Sequence, residues 1–294
     1  MKRFFQNKVA IIAFTLPTLI LFTTFVVYPI VPLVITSLQE HDGVSVLGFV
    51  GLGNYKEILA LPRLVKANLN SIYITAASLL LGIPYSLGLA LVLHYARLKH
   101  TQIYKIMYFL PVVISIPVVC QAWLAILNPD WGLLNSLLRA LGLGSLTTPW
   151  LTNVYTVIPC IIIVLFWQYL GFNMTVFYAG LMTIPDQYFE AALIDGASRF
   201  QSSIKIAVPL LSNVIKFIAL TSIIGCMKTF AHVQILTQGG PGDASYTLVY
   251  MVYNFSFVRN RFGAGSAISI LFVLECLVFA IFLNRYAARE KIEF

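Results

Sequence analysis

Acid, base and nucleophile chemistry needs polar side chains held at fixed spacings, and this 294-residue sequence offers few. Gly240-Pro241-Gly242-Asp243 spells the GxGD string of membrane aspartyl proteases. That chemistry requires two carboxylates sharing a proton, and no second Asp stands within an apolar stretch. No HExxH, GxSxG or phosphate-binding lysine loop occurs, and no Lys follows a Gly. The chain is therefore expected to have no catalytic residue and to hydrolyse no ATP by itself. Cys120, Cys160, Cys226 and Cys276 fall inside apolar runs with no CxxC or Cys/His ligand spacing, so packing thiols and no metal site are expected. Two ionisable groups remain, Lys228 and Glu275, each the interior charge of an apolar segment. A charge at membrane depth costs about 2.5 to 3.5 kcal/mol on insertion scales. Either the two pair, since both fall at similar depth, or they contact a partner chain, or one or both face a ligand.

The elements that must position these groups are membrane spans. Hydrophobic residues make up 59% of the sequence and charged residues 10%, against about 25% charged in a soluble domain. A bilayer core about 30 Å thick needs about 20 apolar residues per helix. Six segments meet that length: 9–39, 67–96, 106–129, 154–181, 212–237 and 263–284. The basic N-terminus before the first run is expected to be a retained membrane anchor and not a cleaved signal, because the run is far longer than a signal's apolar region and lacks a small-x-small site. Twelve Lys and Arg fall in the two tails and the loops on their side, and six in the opposite loops. Positive-inside logic then puts both termini in the cytoplasm. The net charge of +8 follows from topology, since no dense basic block with interleaved aromatics suggests nucleic acid. The expected domains are 1–66 (tail, first span, external segment with Gly51, Gly53 and Asn54 as turn formers and a helix from Tyr55 to Leu61), a core at 67–287, and a tail at 288–294.

Residues 184–211, between spans four and five, should be a loop yet read as helices. Pro185 and Asp186 start a short helix with Asp186 as N-cap, and Gly196 suits a left-handed stop. A second helical run, Arg199 to Val208, leads to Pro209 at the mouth of span five. An amphipathic connector lying on lipid headgroups prefers Lys and Arg on its polar face. This one carries Asp186, Glu190 and Asp195 before its first Arg, so it reads instead as a docking knob whose small Ala191, Ala192 and Ala197 admit a close surface.

Glu190-Ala191-Ala192, Asp195-Gly196-Ala197, Ile204 and Pro209 resemble the EAA motif of binding-protein-dependent ABC importer permeases. The segments Phe49-Val50-Gly51-Leu52, Asn54-Tyr55, Phe109-Leu110-Pro111, Ala179-Gly180-Leu181, Ile184-Pro185 and Thr237-Gln238-Gly239-Gly240-Pro241 are similar to the maltose-transporter type of sugar permease, with Gln238 where the family usually has glycine. The resemblance implies an all-α polytopic membrane protein of six transmembrane helices with the type I ABC importer permease fold. It also implies a second homologous permease, two ATP-binding cassette ATPase subunits carrying ATP and Mg, an external solute-binding protein and a sugar cargo; the chain itself would bind no cofactor. Glu190, Ala191, Ala192, Asp195, Gly196, Ala197 and Pro209 would then couple to an ATPase cleft, and the setting would be the bacterial cytoplasmic membrane and its lipid, with span one against the other permease.

Sugar sites combine aromatic faces with a few polar groups that read hydroxyls. The residues at suitable depth are Trp167, Tyr169, Asn173, Phe230, Gln234 and Tyr253, with Lys228 and Glu275. Aromatics are 14% of the chain, and most serve packing or interfacial belts. His232 has no acidic partner within a turn and is expected to be hydrogen-bonded packing. The rival is an ion-gradient-driven secondary transporter, which would show internal repeats and acidic or histidine relays; only Glu275 fits.

Overall fold

A computed structural model describes residues 8–95 and 101–287. Lys2, Arg3, Arg97, Lys99, Arg289 and Lys291 of the charge count, and the 288–294 tail, lie outside the described residues. Among those described, four helices are long and apolar enough to cross a membrane, and two bent helix pairs raise the number to six. The chain divides into two compact units, Met1–Leu61 with Met251–Leu274, and Pro62–Tyr250 with Glu275–Phe294.

The first unit opens with helix α1 (Ile11–Ser37), whose side chains are exposed from Ile11 to Pro32. A two-stranded antiparallel ribbon follows, β1 (Gln39–His41) with β2 (Val46–Phe49), in the register Gln39 to Phe49 and Glu40 to Gly48. The sequence reading contained no strand. The turn between them is built by Asp42, whose carboxylate accepts the backbone N–H groups of Val44 and Ser45 at 2.9 and 2.7 Å. The backbone donors of Ser45 and Val44, in that order, hold the Asp42 carboxyl down at about 2. Helix α2 (Gly53–Leu59) comes next. Asn54, expected as a turn former, lies instead inside this helix, buried, and donates at 2.9 Å to the carbonyls of Ser37 and Gln39. In the same unit the Gly263 backbone passes so close that a Cβ there would lie 2.1 Å from the Gln39 carbonyl oxygen.

The second unit holds α3 (Pro62–Tyr95), α4 (Thr101–Val113), α5 (Ile116–Ile126), α6 (Leu133–Ala140) and α7 (Val157–Leu181). It continues through α8 (Asp186–Ile194), α9 (Arg199–Leu210), α10 (Ser212–Met227) and α11 (Ala231–Leu236). Helices α12 (Leu248–Val258) and α13 (Phe262–Ala287) supply residues to both units.

The third expected span is broken: α4 and α5 meet at 98°. Ser115 between them is extended, at φ −62° and ψ 144°, and Pro117 occupies the first turn of α5, where its missing N–H leaves nothing unsatisfied. Helix α7 is the most deeply packed, and α4 lies directly on it at Gly171, where a Cβ would meet the Tyr108 carbonyl oxygen at 1.8 Å. Only glycine permits that approach. One apolar core gathers Leu87, Ala90 and Leu93 of α3, Met174, Phe177 and Leu181 of α7, and Leu211 and Ile218 farther along.

Candidate functional site

Two features of the second unit could do work: a short helix between α7 and α10, and a cavity among the spans.

The short helix, α8, ends at Ile194, and the chain reverses through Gly196, which takes the left-handed conformation at φ +81°. The Ala197 N–H donates to the Ala192 carbonyl at 2.9 Å, closing the end of the helix. A Cβ at Gly196 would meet nothing, so glycine is needed there for its backbone alone. The helix start differs from expectation: Pro185 is the N-cap, Asp186 lies in the first turn, and no side chain caps it. An acid in that position still favours the helix through its partial positive charge. The following helix α9 is capped by a reciprocal pair that the sequence reading missed. Ser198 Oγ accepts the Gln201 N–H at 3.2 Å, and Gln201 Oε1 accepts the Ser198 N–H at 2.8 Å. Its signal was legible as S-x-x-Q ahead of an apolar run.

The faces of α8 are also distributed differently from expectation. Ala191, Leu193, Ile194, Asp195 and Glu190 are exposed, with Ile194 at 87%. Ala192 is buried, only 8% exposed, and so offers no face to a partner. Phe189 carries the other half of the arrangement and was not anticipated. It is buried in the core with Leu93 and Leu181, and its ring lies 5.4 Å from His94 and 5.9 Å from Tyr95. Arg199 adds a hydrogen bond to the Tyr95 carbonyl at 3.2 Å. The helix is thus an exposed finger with its root in the span core. Pro209 sits within α9, one residue before its last.

The cavity has a volume of about 510 Å³ and is lined from α3, α4, α5, α7, α10 and α11. Of the expected ligand residues, Tyr169, Asn173, Lys228 and Phe230 line it together. Trp167 does not; it packs edge-to-face on Trp123 at 5.9 Å. It precedes Tyr169 by two residues, about 200° around a helix, and so lies on the other side. Gln234 is also absent from the lining, and its buried Oε1 has no hydrogen-bond partner among the described residues. Tyr253 belongs to the first unit, where its ring meets Phe257 at 5.8 Å.

Lys228 and Glu275 form no ion pair with each other among the described residues. Glu275 instead accepts a hydrogen bond from the Asn68 amide at 3.2 Å. Lys228 follows the last turn of α10, whose terminal carbonyls favour a nearby cation. His232 is buried and hydrogen-bonded to Gln168 at 2.8 Å, as its lack of an acidic neighbour suggested. Near the Asp243 loop, Arg63 pairs with Asp243 at 2.8 Å and lies 5.1 Å from the Tyr246 ring, while Asn70 donates to the carbonyls of Ala244 and Tyr246 at 2.9 Å each. Asp243, the acid of the protease-like string, is therefore engaged in a structural pair.

Comparison with known proteins places this architecture. Residues 7–292 match the family described as the binding-protein-dependent transport system inner membrane component. The lactose transport system permease protein LacF of Rhizobium radiobacter is 31% identical over 281 residues, covering 95% of this chain and 93% of its own. The arabinooligosaccharides transport system permease protein AraP of Bacillus subtilis (strain 168) is 32% identical over 280 residues, covering 95% and 88%. A solved bacterial ABC transporter involved in the import of the acidic polysaccharide alginate has a chain of the same fold, with a TM-score of 0.85 at 23% identity and 98% of both chains covered. A multi-pass permease of ATP-driven importers is the class that the fold and the family match define. The chain belongs to the family of binding-protein-dependent transport system inner membrane components, in which ATP hydrolysis is the work of separate subunits.

Proposed function

We propose that this permease carries a sugar, delivered by an external solute-binding protein, through a pore that it forms with a second permease. Two ATPase subunits, binding ATP and Mg, drive the cycle from the cytoplasmic side, where both termini of the chain also lie. Glu190, Ala191, Asp195, Gly196 and Ala197 belong to the finger that an ATPase cleft holds, with Ala192 and Pro209 supporting it from within. The single observation behind this reading is the exposed finger whose buried root, Phe189, packs among α3 and α7 residues. A partner that pulls the tip must move those helices, because close-packed interiors shift between discrete arrangements rather than deform continuously. The sugar cargo rests on the lactose and arabinooligosaccharide relatives, and the pathway on the cavity lined by Tyr169, Asn173, Lys228 and Phe230.

Uptake in cells expressing the complete system tests the reading. Sugar accumulation should stop when ATP is depleted and persist when an uncoupler collapses the proton gradient. The opposite pattern would mean an ion-driven transporter and would refute it.

A further inference from the structure

The cavity has one formal charge in its lining. Lys228 is exposed to it, no carboxylate lines it, and Lys228 is in no ion pair among the described residues. Glu275, one candidate partner for this lysine, is held by Asn68. Further polar groups of the lining make no side-chain hydrogen bond among the described residues, the buried Ser78 hydroxyl among them. The Asn173 amide, although buried, and the Tyr169 hydroxyl make no side-chain hydrogen bond to the described residues. His232 differs, being committed to Gln168. An ammonium, an amide, a phenol and the Ser78 hydroxyl around one cavity form a donor set whose single charge an anionic oxygen satisfies better than a hydroxyl. Hydrogen bonds to a charged acceptor are roughly twice as strong as neutral ones, and the low local dielectric strengthens them further.

We propose that the cargo is an acidic saccharide, a uronate-bearing sugar whose carboxylate is met by Lys228 with Asn173 and Tyr169 beside it. This rests on the sugar-import reading above and narrows it to one substrate class. A neutral sugar would gain only ordinary hydrogen bonds from the same groups and would leave the ammonium without an anion.

The test uses the complete transporter in proteoliposomes with its cognate binding protein. The probes are di- and tri-uronates of galacturonate, glucuronate and mannuronate, compared with their neutral hexose counterparts. Uronates should bind the binding protein and be taken up with ATP. Lys228→Gln should lower that uptake about tenfold or more, the loss of one charge-assisted contact, while Lys228→Arg retains most of it. Membrane level and ATPase co-purification of each variant separate a lost contact from a lost fold, and the binding-protein titration reads the substrate class with no variant at all. Uptake of neutral sugars only would overturn the acidic cargo and leave sugar import standing. Uronate uptake unchanged in Lys228→Gln would overturn the role of the lysine. Transport of no saccharide in either set would bring down both readings.

Discussion

Phe189 of the exposed finger meets Tyr95 at the end of α3 edge to face, with ring centroids 5.9 Å apart. The aromatic contact ties the part of the chain that a partner can reach to a helix that borders the cavity, since Ser78 and Gly82 of α3 are in its lining. A packed contact thus joins the finger to the helix that borders the cavity.

Removing that link should uncouple the machine. Phe→Ala in a packed core costs about 3 to 5 kcal/mol, so Phe189→Ala should loosen the finger's root while leaving its tip chemistry intact. The expected outcome is a complex that still hydrolyses ATP but moves much less cargo per ATP, with Phe189→Leu intermediate. Measuring both rates in proteoliposomes checks this, and an unchanged ratio would show that the root carries no motion.

Ala191 and Ala192 should behave differently although they are neighbours. Ala191 is exposed and Ala192 is 8% exposed. Ala191→Glu should leave the permease in the membrane at normal level and weaken ATPase co-purification. Ala192→Glu buries an unpaired charge, a costly change, and should lower the amount of permease itself. Equal effects of the two would contradict the face assignment.

At Gly196 the backbone alone sets the requirement. A left-handed conformation costs a non-glycine residue about 1 to 2 kcal/mol, and there is no steric obstacle to a Cβ. Gly196→Ala should therefore weaken coupling in part, Gly196→Asn less, since Asn tolerates that conformation. Gly196→Pro cannot adopt it at all and should abolish uptake and ATPase association with insertion intact. Uptake assays on the three variants give the order, and normal uptake by the proline variant would remove the finger from the mechanism.

How far the sequence foretold these features depends on their range. Charge-free runs marked the spans because membrane length is a one-dimensional constraint, and the finger was visible because its acids, alanines and Gly196 obey local helix rules. The root was not, since nothing local distinguishes Phe189 from its exposed neighbour Tyr188. The side of a helix that a residue faces was not readable. Trp167 and Tyr169 are two residues apart on different sides of α7, and Lys228 and Glu275 form no bond to each other among the described residues. The β1–β2 ribbon was missed because its strands are three and four residues long, too short for an alternating pattern to register. In the same way Asn54, a turn former by type, is held in α2 by carbonyls fifteen and seventeen residues earlier.

In the first unit, Arg261 grips Glu57 through both terminal nitrogens at 2.5 and 2.6 Å. The Arg261 hydrogen bonds hold the Glu57 carboxyl below its ordinary value, and those same bonds raise Arg261. A carboxyl lowered in the folded state stabilises above its unfolded pKa, and that contribution fades as pH falls through the lower folded value. Both side chains are over 40% exposed, so the pair contributes only about 0 to 1 kcal/mol. Acidification below the ordinary glutamate range should speed hydrogen exchange in α2, after correction for intrinsic rates, and Glu57→Gln should flatten that response. An identical pH profile in the variant would show the pair to be inert.

The most direct test is a photo-crosslinker placed at Ile194, which is 87% exposed on the finger, in cells producing every companion subunit. The account predicts an adduct with the ATPase subunit, with a yield that changes between ATP-bound and nucleotide-free states. Capture of lipid alone in both states would contradict it.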